Sequence, residues 1–161
     1  METFHTVLLT VFFGILPISE LRGAIPFAYL NGIPLPVAAL IGGGANLLVF
    51  PMAMVFLTYF HSFFYAHFSW YMSLFDKTVT KTRHRLSHKV SVYGLLGITL
   101  FVAIPFPITG AYTGTLGAWL LGLDMKKSFI AVSFGVLIST IIVSSILLIG
   151  DASFSLFIKK I

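Results

Sequence analysis

The chain has 161 residues, 58% of them hydrophobic and only 9% charged, with a mean hydropathy of +1.01 and no cysteine. Soluble domains carry about 25% charged residues, so this composition describes one compact integral membrane domain with no room for a separate soluble one. The net charge of +5 sits in short loops, which makes it a topology signal rather than a nucleic-acid footprint. The missing cysteines exclude disulfides, a thiolate nucleophile and a cysteine-ligated metal.

The first apolar stretch, Phe4–Leu30, has no basic region ahead of it and no small-residue cleavage site after Leu16, so it reads as mature structure. It is too long for one crossing and too short for two. Its centre, Pro17 to Pro26, is broken, leaving a first arm to Leu16 and a short return that ends at the turn-rich Asn31-Gly32-Ile33-Pro34-Leu35-Pro36. Val37–Leu57 follows as an ordinary span, since roughly 20 residues cross a bilayer. The Tyr59–Tyr71 run is aromatic and reads as an interfacial belt.

Asp76–Lys89 is a basic linker. Val90–Leu123 would be about 50 Å long as one helix, against a hydrocarbon core of about 30 Å. Pro105-Phe106-Pro107-Ile108-Thr109-Gly110 interrupts it at the middle, so its arms are candidates for a re-entrant hairpin. Phe129–Ile149 is the second ordinary span. The expected fold is therefore an all-α integral membrane protein of two repeats, residues 1–75 and 90–161, joined by the linker 76–89. Each repeat is a proline-broken re-entrant hairpin followed by one transmembrane helix. Lys77, Lys81, Arg83, Arg85, Lys89, Lys126 and Lys127 all fall on one side if Val90–Leu123 is a hairpin. The positive-inside rule then makes the linker cytoplasmic and the two repeats inverted. The expected location is a bacterial or archaeal cytoplasmic membrane.

Glu20 and Arg22 put an ionisable pair inside the first break, where charges are costly and mark a pathway or a binding site. The arm from Phe4 to Pro17 is about 20 Å of helix, which would deliver them near the bilayer midplane. The alternative is a snorkelling ion pair at the surface. In a non-helical turn they can pair, whereas residues two apart on a helix diverge. Burial opposes the carboxylate's charge and Arg22 supports it, which suits a group that exchanges a proton; Arg22 can also hold a phosphate bidentately. In the second break, the opened backbone and the hydroxyls of Thr109, Thr113 and Thr115 can coordinate ions or polar substrate groups. Gly110 and Gly114 there also form a GxxxG packing motif.

Close helix approach is the simpler account of Gly42-Gly43-Gly44-Ala45-Asn46, although Asn46 can instead hydrogen-bond the opened backbone of a hairpin. The hydroxyls of the last span are most simply packing groups. Lys77, Lys81, Arg85 and Lys89 recur every four residues and would line one helix face suited to anionic lipid headgroups, while topology alone also explains them. His84 and His88 have metal-like spacing but sit among cations, so no metal site, cofactor or catalytic set is expected. The chain does not read as an enzyme.

The run Glu20-Leu21-Arg22-Gly23-Ala24-Ile25-Pro26 resembles the signature of the small multidrug export protein family, and Pro105-Phe106-Pro107-Ile108-Thr109-Gly110-Ala111-Tyr112-Thr113-Gly114 resembles its second hallmark. A glycine is usual in that family where Ile108 stands, and a tryptophan where Tyr112 stands. The family is considered a distant relative of the DedA-type membrane proteins. The resemblance implies inverted re-entrant hairpins and a transporter or lipid-translocating role coupled to protons. Glu20, Arg22 and Pro26 match the first motif; Pro105, Pro107, Thr109, Gly110, Thr113 and Gly114 match the second. The expected function is a small secondary exporter of an amphipathic or lipid-like substrate, with both hairpin tips meeting at the site. The alternatives are a lipid-phosphate translocase and a non-transporting membrane scaffold. Membrane lipids, protons and a possible second copy in a homodimer are the expected partners, and nucleic acid is not.

Overall fold

The computed structural model describes residues 2–75, 88–106 and 109–158. Among them every element is a helix: α1 (Glu2–Ile15), α2 (Glu20–Leu30), α3 (Leu35–Leu47), α4 (Val49–His67), α5 (Ser69–Phe75), α6 (His88–Ala103), α7 (Ala111–Leu120) and α8 (Met125–Ile158). The order of helix, break, short helix, tight turn and long helix occurs twice.

Local chemistry sets these boundaries. α1 stops where Pro17 removes a backbone donor. α2 ends at Gly32, whose φ of +85° lets the Ile33 amide donate back to the Ala28 carbonyl at 3.0 Å. α7 ends the same way, with Gly122 at φ +65° and the Leu123 amide on the Ala118 carbonyl at 3.0 Å. Pro34 leads into α3, while Asp124 starts α8 by accepting the Lys127 amide at 2.9 Å.

α3 and α4 are nearly continuous, because Leu48 between them keeps helical torsions. Leu35–His67 and Met125–Gly150 are the two helices long and apolar enough to cross a membrane among the described residues. They run antiparallel: Gly43 abuts Thr140, and farther along the first helix Phe50 meets Phe129 at 5.4 Å, farther back along the second. α2 folds back on α3, where Gly42 admits Ile25 at a distance no side chain would allow. α7 folds back on α8, with Gly114 facing Val132 and Val102. α1 covers α2 and α3, and α6 covers α8.

The core is a seam of small and branched residues, including Ala24, Ile25, Val49, Val102, Val132 and Val136. The outer surface also carries many large apolar side chains. Leu40 is 76% exposed and Ile141 65% exposed, which suits a hydrocarbon solvent and would be an aggregation liability in water.

Three expectations need correction. The first break is only Leu16–Ser19, so Pro26 lies inside α2 rather than in a broken centre; the close packing of Ala24 and Ile25 on Gly42 holds the helix through its missing donor. The span expected to end at Leu57 continues to His67, and the aromatic run is mostly helix, its rings stacked from Phe56 through Phe60 and Phe64 to Phe68. The last span begins at Met125 and runs to Ile158, because Ser and Thr within it bond to their own helix and do not interrupt it. Lys77, Lys81, Arg85 and Pro107 lie outside the described residues; Lys89 lies in α6, and only its backbone is described.

Candidate functional site

Glu20 opens α2 with φ +48°, a left-handed torsion unusual for a residue with a side chain. That torsion turns the side chain off the regular helical path. Arg22 Nη2 then donates to Glu20 Oε2 at 3.3 Å, a pairing that two positions on a regular helix forbid. One residue of turn backbone is enough to make the pair.

The same carboxylate reaches the other half of the molecule. Oε1 accepts the Tyr112 amide at 3.3 Å, and the Ala111 amide is also bonded to the group. These are the first amides of α7, donors that no helix satisfies internally. Gly110 makes room for the approach, because a Cβ there would overlap the carboxylate. Only 5% of Glu20 is exposed, and burying an unpaired carboxylate is costly. Here two amides and a guanidinium offset that cost.

Since α2 and α7 fold back on antiparallel long helices, their N-termini meet head to head. Both helix dipoles turn their positive ends toward one carboxylate. The carboxyl end of α1 joins the junction. Its orphan carbonyls are taken in turn: Asn46 Nδ2 donates to Gly14 O at 3.0 Å, the Tyr112 hydroxyl to Ile15 O at 2.6 Å, and the Glu20 amide to Leu16 O at 2.9 Å. The Glu20 side chain and the Tyr112 side chain thus cross in opposite directions between the two breaks.

Of the sequence-predicted residues, Glu20, Arg22, Gly110 and Asn46 come together at this junction. Asn46 is wholly buried and takes the role of bonding opened backbone, while Gly42 next to it carries the close helix approach. Thr113 sits beside the junction, its hydroxyl bonded to Gly110 O at 3.3 Å. Thr109 instead ties its own loop, donating to Ile104 O and accepting the Phe106 amide at 3.1 Å. Gly114 packs against Val102, Pro105 follows α6, and Pro26 sits inside α2 away from the carboxylate. Tyr112 was not among the predicted site residues. Its signal was a polar-tipped aromatic two positions after the break glycine.

A cavity of about 510 Å³ opens beside the junction, lined by Pro17, Ala53, Phe56, Tyr112, Thr113 and Leu116 among others. Its walls are apolar apart from the Tyr112 and Thr113 edge. Arg22 Nε is buried without a hydrogen-bond partner, and its side chain is 18% exposed. The guanidinium therefore keeps donor capacity after pairing with Glu20.

The family model described as "Putative small multi-drug export protein" matches residues 20–142. The chain belongs to that family. The match runs from the junction carboxylate through both breaks and into α8. Membership in an export-protein family, with two apolar helices of membrane-crossing length, points to a membrane protein and is consistent with a transporter. No curated protein and no solved structure matches the chain.

Proposed function

We propose that the chain is a small secondary exporter whose transport site is the junction of the two breaks, with Glu20 as the proton-responsive group. The observation that carries this reading is the Glu20 carboxylate bonded at once to Arg22 on its own helix and to the first amides of α7. A proton on that carboxylate weakens both links together, so protonation and the contact between halves are coupled. Membrane depth is supported by length. α2 has 11 residues and α7 has 10, and head to head they come to about 30 Å, close to the thickness of the hydrocarbon core. On this reading α1–α2 and α6–α7 are re-entrant hairpins in inverted repeats, entering from opposite faces. The apolar cavity beside Tyr112 suits an amphipathic substrate that arrives from the bilayer.

Proton-driven flux in proteoliposomes tests the proposal, with Glu20→Gln as the variant. Loss of the response to a pH gradient is expected while the protein still inserts. An unchanged response removes Glu20 from the mechanism. The free donor capacity of Arg22 favours a second reading, a phosphate-bearing lipid as the transported molecule. Under that reading Arg22→Lys abolishes movement of a labelled anionic lipid but spares a neutral amphiphile. A scaffold without transport predicts that single cysteines at Ser19 and Thr109 are inert to membrane-impermeant reagents, whereas inverted hairpins expose them from opposite sides.

A further inference from the structure

A second apolar groove lies away from the junction, between α4 and the first turns of α8. It encloses about 620 Å³ and is lined by Pro51, Met54, Val55, Phe129 and Ile130, with Tyr59 and Lys126 also on its wall. Val55 and Ile130 are each more than half exposed, and Tyr59 is 75% exposed. The groove therefore opens outward between the two helices of membrane-crossing length. In a bilayer a surface of this kind is filled by hydrocarbon.

The charge in this groove is placed against local preference. Lys126 and Lys127 stand in the first turn of α8, where the helix dipole disfavours cations. Asp124 is the nearest acidic residue in sequence. Its carboxylate caps the Lys127 amide, and Lys126 forms no ion pair among the described residues. The antiparallel pairing of Phe50 with Phe129 puts Lys126 toward the Thr58–Tyr59 end of the groove. Thr58 spends its hydroxyl on the Met54 carbonyl, which leaves the Tyr59 phenol and the Lys126 ammonium as the polar groups of that end among the described residues. An apolar trough closed at one end by a cation and a phenol is complementary to one molecule in particular, an amphiphile with a hydrocarbon chain and an anionic head.

We infer that the α4–α8 groove is a binding site for an anionic glycerophospholipid, with one acyl chain along Met54, Val55 and Ile130 and the phosphate against Lys126 and Tyr59. The site is independent of the transport reading, because it shares no residue with the junction. The lipid links the first long helix to the second at the point where the Phe50–Phe129 contact already joins them. It supplies the counter-charge that the first turn of α8 lacks.

The test uses the full chain purified in a neutral detergent and titrated with phosphatidylglycerol or with phosphatidylcholine of the same chain length. Binding is read by native mass spectrometry and by the shift in Tm. Phosphatidylglycerol should bind more tightly, and Lys126→Ala should weaken it about fivefold, the contribution of roughly one lysine near a phosphate surface. Phosphatidylcholine, whose phosphate is offset by its own choline cation, should lose less in that variant, so that the preference narrows, and Lys126→Arg should keep the preference. Val55→Trp, which fills the groove, should weaken both lipids. The proposal is overturned if Lys126→Ala leaves the preference intact, or if Val55→Trp leaves both lipids bound as before. Disulfide cross-linking of a Val55→Cys variant that excess phosphatidylglycerol does not suppress would also overturn it, by assigning the groove to a second copy of the chain.

Discussion

The two breaks in this molecule solve one geometric problem with opposite chemistry. The first is short, Leu16–Ser19, and ends on a charged residue held at φ +48°. The second is longer, from Ile104 to Gly110, is tied by the Thr109 hydroxyl, and ends on a glycine with extended backbone. Glu20 and Gly110 stand equally far ahead of their turn glycines, Gly32 and Gly122. One position brings a carboxylate; the other brings an empty space and the amides behind it. A two-fold arrangement with a carboxylate in both places would set like charges together in a buried site. The difference between the halves is what allows one acid to serve both helix starts.

If the halves are complementary in this way, the largest effect belongs to Gly110→Val. The added side chain displaces the Glu20 carboxylate from the amides of Ala111 and Tyr112, which should cost about 3 kcal/mol or more. Thermal unfolding in detergent measures it. The double variant with Glu20→Ala should recover a large part of that loss, since the clash disappears. Simple additivity would break the comparison. Asn46→Leu should come next, at about 2 kcal/mol, because it leaves the Gly14 carbonyl buried without a donor; chemical denaturation reads it directly.

Tyr112→Phe sharpens the comparison further. It removes only the hydroxyl bond to Ile15 O while keeping the ring and its amide, for an expected loss of about 1 kcal/mol. An effect on Tm without loss of pH-gradient-driven flux would separate the Tyr112 side chain, as a brace, from its amide, as part of the junction. The smallest effect should be at Gly44, beside which a Cβ meets nothing within 4 Å. Gly44→Ala should be neutral or stabilising by about 0.5–1 kcal/mol through helix propensity. A large loss there would mean that a partner covers that face.

Much of this plan was legible in the residues. The proline interruptions, the two arms around Pro105–Gly110 and the presence of a second long apolar helix all follow from features that act within a few positions. Prolines and glycines end helices through their own backbones. Some boundaries were not legible for the same reason. Pro26 looks like a breaker in isolation, yet α2 runs through it under the packing of Ile25 and Ala24 on Gly42. The aromatic run after Leu57 looks like a change of environment, yet it continues the helix, because stacked rings four apart favour that conformation. The matching glycine turns at Gly32 and Gly122 were visible as residues. Their equivalence needed the left-handed torsions.

The sequence by itself determined that this is an apolar, helical chain broken twice, with one acid and one arginine beside the first break. Hydropathy, helix breakers and charge placement are local properties, and each can be read where it stands. Only the tertiary structure decided that Glu20 meets the amides of residues more than ninety positions away, and that Asn46 and Tyr112 close the end of α1. Those contacts depend on antiparallel packing of the long helices. That packing is set by where small residues let backbones approach, a property of pairs of helices rather than of any one stretch of chain.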